Sequence, residues 1–185
     1  AQSRGDVQTD GPEQGPAQPL PSEAARLLSS LVGHLVGFVY RCRDDQQWTM
    51  EYVSDGFQSL TGRASEDLLG NRVISYNELI HPEDRDRVAE SGATGKEEGA
   101  RISIEYRLCH LDGSVRWVSE RAVRVFDRPT SSWKWEGFIE DITDRKRAEQ
   151  ALNEANERYQ SIFENALEGI FQVTPDGRLL VVNPA

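Results

Sequence analysis

Apolar and polar residues alternate most regularly at residues 102–108, where Ile102, Ile104, Tyr106 and Leu108 stand against Ser103, Glu105 and Arg107. A period of two is that of a half-buried strand. The same period runs through residues 37–43, with Phe38, Tyr40 and Cys42 opposed to Val39, Arg41 and Arg43. After a polar turn at 44–47, residues 48–53 form the returning strand. Asp112 and Gly113 mark a tight hairpin between the 101–110 strand and a partner at 114–126. A looser turn at 127–132 then leads to a fifth strand at 133–142. The pattern leaves open whether Trp133 and Trp135 or Phe138 lie on the inward side of that last strand.

Between the second and third strands the pattern is helical and broken. Ser54 or Asp55 caps a short helix through Phe57 and Leu60 that Gly62 stops, and Ser65 caps a second that Gly70 stops. Apolar residues follow at Val73, Ile74, Tyr76, Leu79 and Ile80. His81 opens a helix with Pro82 at its first position and Glu83 and Asp84 in its first turn; it ends near Ser91 and Gly92. Two strands, a block of short helices and three more strands predict an α+β domain. Its sheet is five-stranded and antiparallel, with helices on one face.

The flanks differ. Residues 1–20 are rich in Pro, Gly and Gln and read as a disordered tail. Residues 21–36 read as an amphipathic helix, capped by Ser22 and striped with Leu27, Leu28, Leu31, Val32 and Leu35. The 133–142 strand runs straight into a long helix from 143 to about 167, because no Gly or Pro occurs from Phe138 to Glu168. Thr143 or Asp144 is its expected N-cap. Ala148, Leu152, Ala155, Tyr159, Ile162 and Ala166 recur at spacings of four and three, a coiled-coil seam. Packing on its own domain and a parallel dimer both accommodate that seam; the dimer is the expectation carried forward. Arg145, Lys146 and Arg147 crowd the first turn, where the helix dipole disfavours cations, and Glu120, Glu140 and Asp141 are the expected counter-charges.

The chain has 185 residues and a net charge of −10, from 31 acidic against 21 basic side chains. That balance argues against nucleic acid or an anionic membrane as partner. No apolar run approaches the ~20 residues of a membrane span, and a cytoplasmic setting is expected. Cys42 and Cys109 show no metal-ligand spacing. His34, His81 and His110 form no cluster, so no metal site is expected. Acid pairs such as Asp44 with Asp45 and Glu97 with Glu98 read as solvated loop charge, and no catalytic constellation emerges.

Five segments taken in order resemble a PAS domain: YVSDGFQSLTG at 52–62, EDLLG at 66–70, IHPEDR at 80–85, DGSVRW at 112–117 and GFIEDITDRK at 137–146. The resemblance spans about residues 36–146. It implies a sensory module of bacterial signalling proteins, joined in the same chain to a histidine kinase or a cyclic-di-GMP enzyme, and commonly a homodimer. It places the 37–43 strand centrally and the 101–110 strand at an edge, which keeps Cys42 and Cys109 apart. Tyr40, Phe57, Leu60, Ile74, Tyr76, Ile80, Ile104, Tyr106 and Trp117 are candidate pocket residues for an unidentified small ligand; the same residues could equally fill a core. His81, at a helix start, suits capping better than haem ligation, and the cysteine motif of flavin adducts is absent, so the cofactor is left unassigned.

Residues 161–169 repeat the spacing of 29–37, and Val181 to Asn183 parallel Tyr52 to Ser54. Residues 169–185 therefore read as the first two strands of a second such domain, and residues 144–168 as the connector between the two. The expected function is relay: a change in the pocket or the dimer interface passes through Glu120, Asp141, Ile142, Thr143 and Arg145 into the helix. A ligand-free dimerisation spacer is the alternative.

Overall fold

The computed structural model describes residue 30 and residues 36–93 and 95–184. The expected tail at 1–20 and most of the expected helix at 21–36 lie outside the described residues.

Period-two alternation yields strands β1 (Gly37–Arg43), β2 (Met50–Val53), β3 (Arg101–Cys109), β4 (Val115–Asp127) and β5 (Ser132–Asp141). They form one antiparallel sheet in the order β2-β1-β5-β4-β3. Turns join β1 to β2, β3 to β4 and β4 to β5. The sheet is completed when β5 pairs with β1 from Gly37 opposite Glu140 to Arg43 opposite Lys134. β3 is at an edge and β1 is inside the sheet, but the middle place belongs to β5. Cys42 and Cys109 are free thiols on β1 and β3, with β5 and β4 between them. At the usual spacing of about 4.8 Å per strand, that separation is beyond disulfide reach.

One face of the sheet carries the core. Phe38, Tyr40 and Cys42 from β1, Tyr106 and Leu108 from β3, Val118 and Ala122 from β4, and Trp135 and Ile139 from β5 are all buried there. The inward side of β5 is therefore that of Trp135, and Phe138 is on the other. Trp133 shares the Trp135 side, 5.1 Å from the Phe126 ring centroid and under the Arg124 guanidinium.

Five short turns of helix cover that face: α1 (Gly56–Thr61), α2 (Ser65–Leu68), α3 (Tyr76–Leu79), a 3-10 turn at Pro82–Asp84 and α4 (Arg85–Ala93). They bury Phe57, Leu60, Leu68, Tyr76, Leu79 and Val88 against the sheet. Gly62 ends α1 as expected, at φ 72°, a left-handed conformation that glycine takes without strain. Asp55, one of the two expected caps, stands at the N-cap position of α1 but makes no side-chain cap bond. The Ser54 hydroxyl accepts a hydrogen bond from the Val39 N–H instead of capping α1, and Ser65 is the first helical residue of α2. Ser75 and Glu78 form a capping box on α3, a serine–glutamate spacing visible in the sequence. Pro82 starts a 3-10 turn, closed by the Asp84 N–H on the His81 carbonyl; α-helical geometry begins only at Arg85.

Helix α5 (Thr143–Asn165) follows β5 after Ile142 alone. It stops two residues short of the expected end, because Ala166 is extended, at φ −64° and ψ 134°. Strands β6 (Phe171–Val173) and β7 (Leu179–Val182) pair with each other in a separate two-stranded sheet. The bonding of this hairpin parallels that of β1 and β2, one residue out of the register of the sequence repeat, which sets Ile170 against Phe38 rather than Val39. Ser54 N–H reaches the Val39 carbonyl while its hydroxyl takes the Val39 N–H; Asn183 N–H reaches the Ile170 carbonyl while its side-chain oxygen takes the Ile170 N–H.

The start of α1 lies directly on β1. A Cβ on Gly56 would fall 1.8 Å from the Gly37 carbonyl oxygen, and backbone cannot swing aside as a side chain can. Gly56→Ala is expected to lower the unfolding free energy by about 1–3 kcal/mol, the usual cost of overpacking. Urea denaturation checks this; an unchanged midpoint would mean that the two backbones do not touch.

Candidate functional site

Tyr40, Cys42, Met50, Ile102, Glu120 and Trp135 from the sheet and the turn-borne Trp48 enclose a cavity with Tyr76 of α3 and Val88 and Gly92 of α4. Its volume is about 20 Å³, room for about one water molecule. Trp48 is half-buried at its edge, on a backbone of φ 45°. Its indole lies 3.5 Å from where a Gly92 Cβ would stand.

Glu120 is the charged group in this wall. Its alternate position on β4 turns it inward between Val118 and Ala122, and it is 5% exposed. The Tyr40 hydroxyl donates to one carboxylate oxygen. The Tyr106 hydroxyl donates to the other at 2.7 Å and stands 2.6 Å from the Tyr76 hydroxyl. Burial raises the Glu120 pKa above its ordinary value of 4.5, and the two tyrosine bonds only partly offset it. Burial, reinforced by the Glu120 charge, also pushes the hydroxyls of Tyr40, Tyr76 and Tyr106 and the thiol of Cys42 upward.

A second cluster lies at the strand-to-helix junction, on the opposite face. The Ile142 N–H donates to the Trp117 carbonyl at 2.9 Å, and the Trp117 N–H donates to the Thr143 hydroxyl at 3.0 Å. Asp141 accepts from the Thr143 N–H at 2.8 Å and from its hydroxyl. Thr143 is thus the first residue of the helix, and the carboxylate two residues before it supplies the capping oxygen. The Trp117 ring lies between Arg107, 5.7 Å away, and Lys146, 5.3 Å away. Arg107 in turn is bound by Asp84, which takes hydrogen bonds from its backbone N–H and its guanidinium at 2.9 Å. Those bonds hold the Asp84 carboxyl down at about 2.

The candidate pocket residues separate into three groups. Tyr40 and Tyr76 line the cavity. Phe57, Leu60, Ile80 and Tyr106 are buried core, and Ile74 and Ile104 pack on it half-buried. Trp117 is excluded, because its strand parity turns it to the outer face. Glu120 leaves the expected counter-charge set for the cavity. The basic residues of α5 find other partners: Arg145 and Lys146 bind Glu105 at 2.6 and 2.7 Å, and both reach Glu149, while Arg147 meets Asp144. Asp44, expected in solvent, binds Arg124 and the Trp135 indole N–H. His81 lies at the 3-10 turn, outside the cavity lining.

Along α5 the seam positions Ala148, Leu152, Ala155, Tyr159 and Ile162 are exposed, with Leu152, Tyr159 and Ile162 each more than 60% open. Ala166 lies past the helix end. Phe163, not expected in the seam, stacks on Tyr159 one turn away.

A family described as "PAS fold" matches residues 50–139, and one described as "PAS domain" matches residues 157–185. The chain is 32% identical over 146 residues to the methyl sulfide methyltransferase-associated sensor of Methanosarcina acetivorans, covering 78% of this chain and 14% of that protein. It is 28% identical over 157 residues to the two-component sensor PprA of Pseudomonas aeruginosa, covering 84% of this chain and 17% of that protein. Its fold resembles a sensory box histidine kinase/response regulator from Burkholderia thailandensis, with a TM-score of 0.56 and 26% identity over 72% of this chain and 97% of that one. The chain therefore spans less than a fifth of either curated relative.

The two buried carboxyls respond to pH in opposite senses. Asp84 is held below its ordinary 3.8, so its stabilisation is complete above that value and is lost as pH falls towards 2. Asp84→Asn is expected to cost about 1–3 kcal/mol at neutral pH, and the gap to wild type should close in acid. Glu120 is raised above 4.5, so wild type loses stability as pH rises through the folded-state value. Glu120→Gln should gain on wild type over that rise. Urea unfolding across pH checks both; parallel pH profiles for all three proteins would contradict the assignments.

Proposed function

The chain belongs to the PAS family and carries a PAS sensor domain, and from that premise we propose that it is the sensing and dimerisation segment of a multidomain bacterial signalling protein. A change in the cavity or at the dimer interface alters β4 and β5, and Asp141, Ile142 and Thr143 pass it into α5. The observation that carries this reading is the pair of hydrogen bonds that join Trp117 to the helix start, the Ile142 N–H donating to its carbonyl and its own N–H donating to the Thr143 hydroxyl. They tie the first residue of the helix to the same strand that holds Glu120. Arg145 and Lys146 on Glu105 add a second tie, from the helix to the edge strand β3. Exposed ion pairs of this kind are worth about 0–1 kcal/mol each, so they can exchange partners as the helix shifts.

The exposed stripe of Leu152, Tyr159 and Ile162 supports a parallel pairing of two such helices, since large apolar side chains at heptad spacing favour burial. The output that follows is a histidine kinase or a cyclic-di-GMP enzyme; the name of the Burkholderia histidine kinase supports the first. The β6–β7 hairpin, whose apolar residues are exposed on both faces, reads as the opening of a second PAS domain that needs its remaining elements to bury them. No helix among the described residues is long and apolar enough to cross a membrane, and a cytoplasmic site of action is the reading we adopt. One observation favours the alternative of a ligand-free spacer: the cavity of about 20 Å³ admits no more than a water-sized group as it stands.

Asp141→Lys in the full-length protein is expected to change output activity while leaving the circular dichroism spectrum of the domain unaltered. Regulation identical to wild type would contradict the relay. Leu152→Cys should form an oxidised dimer rapidly, and Glu154→Cys only slowly; equal rates would contradict the seam.

A further inference from the structure

Glu120 is an exception among the inward-facing acids. Asp84 is matched by Arg107, and the half-buried Asp44 is matched by Arg124. Glu51 is matched by Lys134. Glu120, more deeply buried than Asp44, has no cation beside it among the described residues. The groups around its cavity are Tyr40 and Cys42 from β1, Met50 from β2, Tyr76 from α3, Val88 and Gly92 from α4, Ile102 from β3, Trp135 from β5 and the turn residue Trp48; none is basic.

The hydrogen-bond inventory has a direction. With the carboxylate ionised, Tyr40 donates to it, and Tyr76 and Tyr106 form a chain that ends on it. The tyrosine protons are then committed, while a carboxylate has about four acceptor positions and two are in use. The cavity therefore offers acceptors and few donors, so a ligand there must bring its own hydrogens. An anion is repelled, and a neutral carbonyl group finds little to bind. The rings of Tyr40, Tyr76, Trp48 and Trp135 stand in the same wall, and aromatic faces attract cations most strongly where water is excluded.

We propose that this cavity is a binding site for a small organic ammonium ion, its nitrogen on the Glu120 carboxylate and its carbons among the aromatic rings. The volume of about 20 Å³ admits the ammonium nitrogen alone as it stands. Any carbon substituent must displace Trp48 from its seat on Gly92, the half-buried edge of the chamber. The chain's net charge of −10 acts in the same sense on approach. As the input to the relay, the site rests on the sensory reading given above; as a binding site, it does not.

The proton and the ligand compete for the same carboxylate, and raised affinity of Glu120 for the proton supports that linkage. The test is titration of the purified chain with methylammonium chloride at neutral pH, followed by tryptophan fluorescence and calorimetry, with sodium chloride as the control. The expected result is saturable binding, weakened about tenfold or more by Glu120→Gln, with affinity falling in acid. If that variant does not fold, the wild-type pH dependence and the proton released on binding carry the test. A response no different from sodium chloride, affinity unchanged in Glu120→Gln, or binding independent of pH would overturn the site. Lack of methylammonium binding with regulation still sensitive to Asp141→Lys removes the site and leaves the relay; binding with regulation insensitive to that change does the reverse.

Discussion

The hydrogen bonds between Trp117 and the residues that open α5 set the geometry of everything that follows. Without them Ile142 would be a free joint between a sheet and a rod. With them the first helical residue is held by the strand next to β5, so the helix leaves the domain in a direction fixed by two strands. Asp141 completes the clasp by capping the helix from within the strand, which leaves no residue whose backbone is unconstrained. The clasp is compact: Ile142 and Thr143 are buried, and Trp117 and Asp141 are half-buried around them.

The same strand brings the interior to this clasp. Glu120 is three residues along β4 from Trp117, about 10 Å at strand rise, and alternation puts the two on opposite faces. The charged group of the cavity wall and the anchor of the helix start therefore share one strand. Outside, Asp84, Arg107, Trp117 and Lys146 form a continuous ladder from the 3-10 turn to the first turn of α5. The short helices that roof the cavity and the helix that leaves the domain are therefore joined by two routes, one through β4 and one across the outer surface.

Much of the fold was legible because strands announce themselves by alternation and hairpins by their turns: β1 and β3 fall within a residue or two of their expected bounds, and Asp112 and Gly113 turn the chain where expected. The junction was legible because no Gly or Pro interrupts it. Trp117 was misread because β4 carries apolar residues on both faces, so parity alone does not say whether Trp117 or Val118 is inside. Glu120 was read as a surface charge for the same reason, although Val118 and Ala122, two residues to either side, mark its face as the buried one. Glu105 could not be found as the partner of Arg145, because forty residues separate them and only the sheet order brings them together. The cavity is the least legible feature of all, since its walls come from five strands, two helices and a turn.

Hydrogen–deuterium exchange at single amides tests the central claim most directly. If strand and helix form one body, the amides of Trp117 and Ile142 exchange as slowly as those of Val118 to Ala122 in the middle of β4, and replacing Thr143 by valine accelerates the Trp117 amide selectively. Exchange of the Ile142 amide at the rate of an open loop, in an otherwise protected sheet, would show a hinge at the junction and contradict the account.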